Sequence, residues 1–494
     1  MDRDVKKIFE DKADVVIITP EKAEKKERIK FWYRNKSQLK ISSRLFIYFL
    51  NQLGYRLYFA GKDYLFVRVQ NNVVEETGSV EMKEAVKKSL LDPSAEYEEG
   101  VKAEDLLEMV INQSPTLFCR GNLEYLDLLE DDFKRDNRTE SFIYFKNCFI
   151  SITSDGYSKH TYEELDKPVW KNQIIDNEYY ETEDTGDFQT FIFRAAGNDA
   201  VRYDSFRSVI GYLLHCYKDP ARAKAIIFMD EKLDDGSNGG CGKSLLGNAL
   251  SKIRKSLRLG GKNFFFERFS FQSYEQGTSI IEFNDLSRNF RFENLFTAIT
   301  DNIIIEKKNK DEIIIPFEQS PKILLSTNYT IKGVDESTLR RQFVLEFSDY
   351  FSIRYSPENE FGHRFFDDWC EDDWCRFYRF MIGCIQFYLD KGLVDYNRIN
   401  LEVKKLIEST SEEFLEFAED LVKDTWYDKR ETYRKFLEDY PDLNNNKMEQ
   451  KKFTNWLKVF ARVKGWKFFQ KKSGADRTFV LSSIPDIKTD GEII

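Results

Sequence analysis

Between positions 236 and 244 the chain reads GSNGGCGKS, with Gly239, Gly240 and Gly242 ahead of Lys243 and Ser244. The common phosphate-loop pattern is G-x-x-x-x-G-K-[ST]; here Ser237 holds the first position and a glycine stands one residue earlier. Glycines let successive backbone N–H groups turn inward and cradle phosphate oxygens. A helix starting at the lysine adds its positive N-terminal end. Lys243 is placed to reach the β- and γ-phosphates, and the Ser244 hydroxyl to complete a Mg²⁺ shell. The expected nucleotide-binding set is therefore Asn238, Gly239, Gly240, Cys241, Gly242, Lys243, Ser244 and Leu245, with ATP and Mg²⁺ as the ligands. Cys241 reads as a spacer within this loop.

Further polar residues follow at the ends of apolar runs. SIIEFND ends on Asp285, an acid able to hold the Mg²⁺ water shell, and KILLSTN ends on Asn328, suited to positioning an attacking water. Arg340 and Arg341 precede QFVLEF. An arginine inserted into a neighbouring copy's site would stabilise charge on a transferring phosphoryl group. Each feature alone is commonplace, whereas their order and compact spacing are informative. Lys243, Asp285, Asn328 and Arg340 are the expected catalytic residues, with Ser244 and Asp285 serving the metal.

These motifs (NGGCGKS, FND, STN and TLRRQF) resemble the superfamily 3 helicases, above all the phage, plasmid and poxvirus primase–helicase type. The resemblance covers roughly 206–350, with weaker similarity upstream through FKNCFISITSDG. It implies an α/β, AAA+-like P-loop core with a parallel sheet. It also implies a ring-shaped hexamer that hydrolyses nucleotide between subunits while moving on single-stranded DNA, alongside a separate primase or polymerase. By the same resemblance Asn328 is the sensor and Arg340 the finger, since its distance to the strand end at Phe347 fits the family. DNIIIEKKNKDEIIIP reads as a β-hairpin around a polar turn. In the family such a hairpin points into the ring channel, so Lys307, Lys308 and Lys310 are the expected DNA-binding residues, through sequence-independent phosphate contacts.

One departure stands out. The family commonly carries two adjacent acids where this chain has Asn284–Asp285. A neutral amide cannot accept a proton as a carboxylate does, so hydrolysis is expected to be real but weak. Strand alternation puts Glu282 on the face of Asn284, opposite Asp285. Asn284 therefore leaves room for a different class of protein, an ATP-driven switch or scaffold on nucleic acid that does not unwind it; a viral-type RNA helicase is a third reading.

The elements that must position these residues follow from periodicity. KAIIFM is an apolar strand ahead of the loop, and Ser244–Leu257 reads as a helix. Thr278–Phe283, Lys322–Ser326 and Phe343–Phe347 are further short strands, so strands alternate with helices. The chain divides on this reading into an α+β accessory region (1–120), a linker (121–205), the ATPase (206–350), a helical region (351–445) and a winged helix (446–485). The last segment carries ten Lys and Arg against two acids over 447–480, which favours duplex DNA over protein docking. In the accessory region SSRLFIYFLNQLGY reads as an amphipathic helix capped by Ser42 or Ser43, followed by strands and a helix over Val80–Leu91.

Composition bounds the rest. At 494 residues, two to four domains are expected. A formal charge of −10 argues against a protein that coats nucleic acid over its whole surface, though a local basic groove remains compatible with it. Seven scattered cysteines suit a reducing cytoplasm, that of a bacterial host for a phage-encoded protein. The N-terminal stretch lacks the apolar core of a secretory signal, and no run approaches the roughly 20 residues of a membrane span. Cys370, Cys375, Cys384 and His363 lack zinc-like spacing and read as helix packing. Asp155, His160 and the acids at 129–132 fit the linker better than a primase site.

Overall fold

The computed structural model describes residues 29–36, 38–60, 63–130, 132–231, 240–262, 264, 270–287, 290–306, 312–328, 336–396, 398, 406–407, 409–444, 448–473 and 476–482. The chain divides into two compact units, one of residues up to 58 with 65–70 and 76–130, the other of 59–64, 71–75 and the chain from 131 on.

In the first unit the helix Ser43–Gln52 begins where the Ser42 side chain accepts the Leu45 N–H, which satisfies an otherwise orphan donor. It buries Phe46, Phe49 and Leu50, and Phe31 packs edge-on against Phe46. Gly54 follows with φ +93°, and a Cβ there would fall 2.3 Å from the Val69 carbonyl oxygen. Only glycine fits that turn. The helix expected over Val80–Leu91 runs Ser79–Leu90 and buries Met82, Val86 and Leu90.

The second unit is built on a five-stranded, all-parallel sheet. Its strands are β1 (Ala225–Asp230), β2 (Ser256–Gly260), β3 (Ile280–Asn284), β4 (Lys322–Ser326) and β5 (Gln342–Phe347). Their spatial order is β2-β3-β4-β1-β5. β1 lies fully buried between β4 and β5, so it reads as a continuous apolar run. Helix α1 (Lys243–Ile253) follows β1. It is shorter than the expected Ser244–Leu257, because Arg254 leaves the helix with φ −129° and buries its guanidinium, donating to the Leu214 carbonyl at 2.7 Å. The residues after it pair with β3 as β2, a strand the helical reading concealed.

Around this sheet lie a smaller sheet that includes Ser141–Phe145 and Phe149–Ile152, and the helices Ala200–Leu214 and Glu371–Lys391. A Cβ on Gly211 would sit 2.1 Å from the Cys384 carbonyl oxygen, so glycine is what lets those two helices touch. Cys375 and Cys384 are buried in that packing, while Cys370 is exposed at the helix start. The hairpin is present as Ile303–Ile305 paired with Ile313–Ile315, burying Ile303, Ile305, Ile313 and Ile315. Its tip, with Lys307, Lys308 and Lys310, lies outside the described residues. The C-terminal helix and hairpin expected over 446–485 are Gln450–Val463 and the antiparallel pair Lys467–Ser473 and Asp476–Ser482. They share one core with Leu406, Phe414, Phe417 and Phe436 from the helices before them. Among the described residues no helix is long and apolar enough to cross a membrane.

Candidate functional site

In an open parallel sheet, ligands bind beyond the carboxyl ends of the strands, where strand order reverses. Here β1 is first in sequence yet fourth in space, so the switch falls at its C-terminal tip. The glycine loop leaves from that tip. A cavity of about 390 Å³ opens there, lined among others by Gly240, Lys243, Ser244, Asp285, Asn328 and Pro357. The tips of β1, β3 and β4 and the start of α1 thus bring together residues scattered between positions 230 and 328 of the sequence.

The loop's glycines are required by its geometry. Gly240 and Gly242 adopt φ +110° and +99°, in the left-handed region. A Cβ on Gly240 would lie 3.1 Å from the Ser352 carbonyl carbon, and one on Gly242 would lie 2.7 Å from the Phe191 ring. Gly242 caps α1, whose first-turn N–H groups and dipole face the cavity mouth. Ser237, Asn238 and Gly239 lie outside the described residues. Ser244 and Leu245 line the cavity, Ser244 with its side chain exposed.

The Lys243 ammonium is held from two sides. It lies 2.5 Å from Asp230 Oδ2 and donates to Asn328 Oδ1 at 2.6 Å. Asp230, the last residue of β1, is buried at 6% exposure. Its sequence signal is its place at the end of an apolar strand, ahead of further acids at 231, 234 and 235. Cys241 packs beside it. Burial, the Asp230 charge and a hydrogen bond to Asp230 push the Cys241 thiol up to about 11, so it stays protonated and a poor nucleophile at neutral pH.

Asp285 stands at the tip of β3 with φ +55°, a turn that costs a non-glycine residue strain and projects it from the sheet. Its N–H donates to Ser326 Oγ at 3.1 Å, and the Leu286 N–H to the Ser326 carbonyl at 2.9 Å. Ser326, another residue the sequence reading did not single out, thereby ties the β3 tip to β4. Asn284 also lines the cavity, and Glu282 does not. The Glu282 carboxylate turns under α1 to meet Arg258 at 2.8 Å, where a Cβ on Gly247 would strike it. Burial pushes its pKa up, against the pull of Arg258.

Arg340 is not at this cavity. It sits with exposed side chain on the helix Glu336–Arg341 that leads into β5, and Gln342 pairs with Ala225 at the N-terminal edge of the sheet. Five residue steps of strand place it roughly 17 Å from the loop end of the sheet. Its backbone carbonyl accepts from Lys224 Nζ at 2.9 Å. Arg341 instead faces its own chain, 4.6 Å from the Phe296 ring centroid and donating to Ser337 Oγ at 2.6 Å.

The residues present fit a Mg²⁺-bound nucleoside triphosphate. The cradle excludes side chains at both described glycines of its turn, the Lys243 ammonium and the Ser244 hydroxyl line the pocket, and Asp285 stands on the β3 side. The cavity lies in the size range of small-ligand sites. No protein-family model and no curated protein matches the chain. Among solved structures the chain is similar to the A-form apo structure of the NrS-1 C-terminal region, with 13% identity, 88% of this chain and 98% of that one covered, and a TM-score of 0.40. A second apo structure of that region gives 14% identity, the same coverage and a TM-score of 0.38. JCV helicase bound to an acetamide compound gives 13% identity over 41% of this chain and 53% of that one, with a TM-score of 0.25. At these scores the likeness bears on neither fold nor chemistry, and both rest on the geometry above.

Proposed function

We propose that this chain is an ATP-dependent DNA helicase of the superfamily 3 kind, working as a ring of identical subunits for a phage or other mobile element. The observation that carries the reading is the single cavity at the switch point of a β2-β3-β4-β1-β5 parallel sheet, lined together by Lys243, Ser244, Asp285 and Asn328. Lys243 and the α1 N-terminus bind the phosphates, Ser244 and Asp285 hold Mg²⁺, and Asn328 orients the attacking water. The metal, when bound, neutralises charge on the β- and γ-phosphate oxygens. To meet a phosphate, Lys243 must leave Asp230, Asn328 or both. Asp285 is the carboxylate left to polarise the water, since Asn284 cannot take a proton and Glu282 is committed to Arg258.

Arg340 cannot serve its own loop from the opposite sheet edge, so its use as a finger requires a neighbouring copy, which favours a closed oligomer with the site shared between subunits. The hairpin and its three lysines are read as the single-strand contact, and the C-terminal helix and hairpin as a winged helix. The second reading, a nucleic-acid-stimulated switch that does not unwind, is favoured by one observation alone, the amide at 284. Turnover with and without single-stranded DNA, alongside mass in solution, separates the readings. An oligomer whose hydrolysis rises several-fold with single strands is expected; a monomer indifferent to nucleic acid contradicts the helicase reading.

A further inference from the structure

The helix Gln450–Val463 buries Phe453, Trp456, Leu457 and Phe460 on one side. On the other, Lys451, Asn455, Lys458 and Arg462 recur at intervals of four, three and four residues, and all are exposed. At 3.6 residues per turn they form one line along the helix. Lys458 Nζ lies 5.8 Å from the ring centroid of Phe468, so the line runs beside the hairpin strand Lys467–Ser473.

A second set of cations meets the line. Asp428 pairs with Thr478 in an antiparallel register, which sets Lys429 next to Arg477 on the other hairpin strand. Burial, then the charges of Arg477 and Lys458, hold the Lys429 ammonium below its ordinary value. Three positive groups from a helix start, a helix face and a hairpin therefore converge. The nearby acids are engaged along the chain: Asp428 caps its own helix through the Arg430 and Glu431 N–H groups, and Glu431 reaches Arg434. Convergent like charge raises the energy of the fold and falls when an anion arrives.

We propose that Lys451, Lys458 and Arg462, with Lys429 and Arg477 beside them, form a phosphate-contacting surface that seats this helix in the major groove of duplex DNA. A helix with one exposed basic face suits the B-form major groove, whereas the A-form groove of duplex RNA is too narrow to admit it. Asn455, in the middle of the line, has the donor and acceptor pair that reads adenine. The inference rests on the winged-helix reading of this segment, but the surface needs neither nucleotide hydrolysis nor ring assembly, so its failure and the failure of the ATPase reading are separately visible.

The test measures binding of the full chain to a short blunt DNA duplex, without nucleotide, across a salt series. In the Lys451→Ala/Lys458→Ala/Arg462→Ala variant, duplex affinity is expected to fall about 10-fold or more, and the salt slope to drop by about 3. A Lys451→Arg/Lys458→Arg/Arg462→Lys variant, with charge retained, should keep wild-type binding, and an unchanged thermal midpoint in both shows that the fold survives. Unchanged duplex affinity and slope in the alanine variant overturns the proposal. So does equal binding of an RNA duplex by the wild type.

Discussion

The two edges of one parallel sheet treat lysine in opposite ways. At the C-terminal edge Lys243 meets a carboxylate and an amide oxygen at the mouth of a cavity. At the N-terminal edge Lys322 opens β4 at 1% exposure, donating to the Tyr212 carbonyl at 2.5 Å and to the His215 carbonyl, with its ammonium 4.0 Å from the Tyr212 ring. Lys218 lies close by, equally buried, donating to the Ala298 carbonyl and Ser320 Oγ. Burial pulls both of these lysines down to about 7 and His215 down to about 4. Residue type thus decides little. The lysine beside a carboxylate at an opening is the one proposed to meet phosphate, and the two walled in by carbonyls and rings are structural donors whose burial favours the neutral form.

The largest expected effect breaks the working edge. Asp285→Asn removes the only carboxylate among the site's described tip residues that both lines the cavity and stands opposite the loop, and turnover should fall by about 100-fold or more with folding intact. Unchanged turnover would remove Asp285 from the chemistry. A smaller effect separates the paired arginines. Arg340→Ala should lower turnover about 10-fold or more while leaving stability unchanged, whereas Arg341→Ala should cost about 1 kcal/mol of stability through its lost ring and Ser337 contacts. Urea titrations beside steady-state assays read both, and a reversed pattern would exchange their roles.

How much of this was legible depended on whether the determining contacts were local. β1, β3 and β4 announced themselves as apolar runs, and Asp285 and Asn328 as polar residues closing them. β2 did not, because its SLRLG follows a helix without a turn residue, and only burial of Arg254 ends that helix. Asp230 was hidden among neighbouring acids, since its role arises from Lys243, thirteen positions on, folding back over the strand tip. The core joining Phe414 and Phe436 to Phe453 is likewise tertiary, and a change of composition at 446 could not disclose it.

The smallest effect probes the quiet edge. A lysine whose folded pKa lies near 7 and whose unfolded value is near 10.4 binds fewer protons when folded between those limits, so its contribution makes stability rise with pH through that window and stay at its lowest below pH 7. Lys322→Met should flatten the wild-type trend by on the order of 1–2 kcal/mol between pH 7 and 9, read from urea midpoints. An identical slope in both proteins would mean that Lys322 is charged in the fold.

The central claim is that Lys243 and the strand tips around it form a nucleotide site, and equilibrium binding of a non-hydrolysable ATP analogue with Mg²⁺ tests it most directly. Wild type is expected to bind in the micromolar range, and Lys243→Ala to lose about 100-fold in affinity, while Lys322→Met binds as wild type does. Equal affinity in wild type and Lys243→Ala would contradict the account.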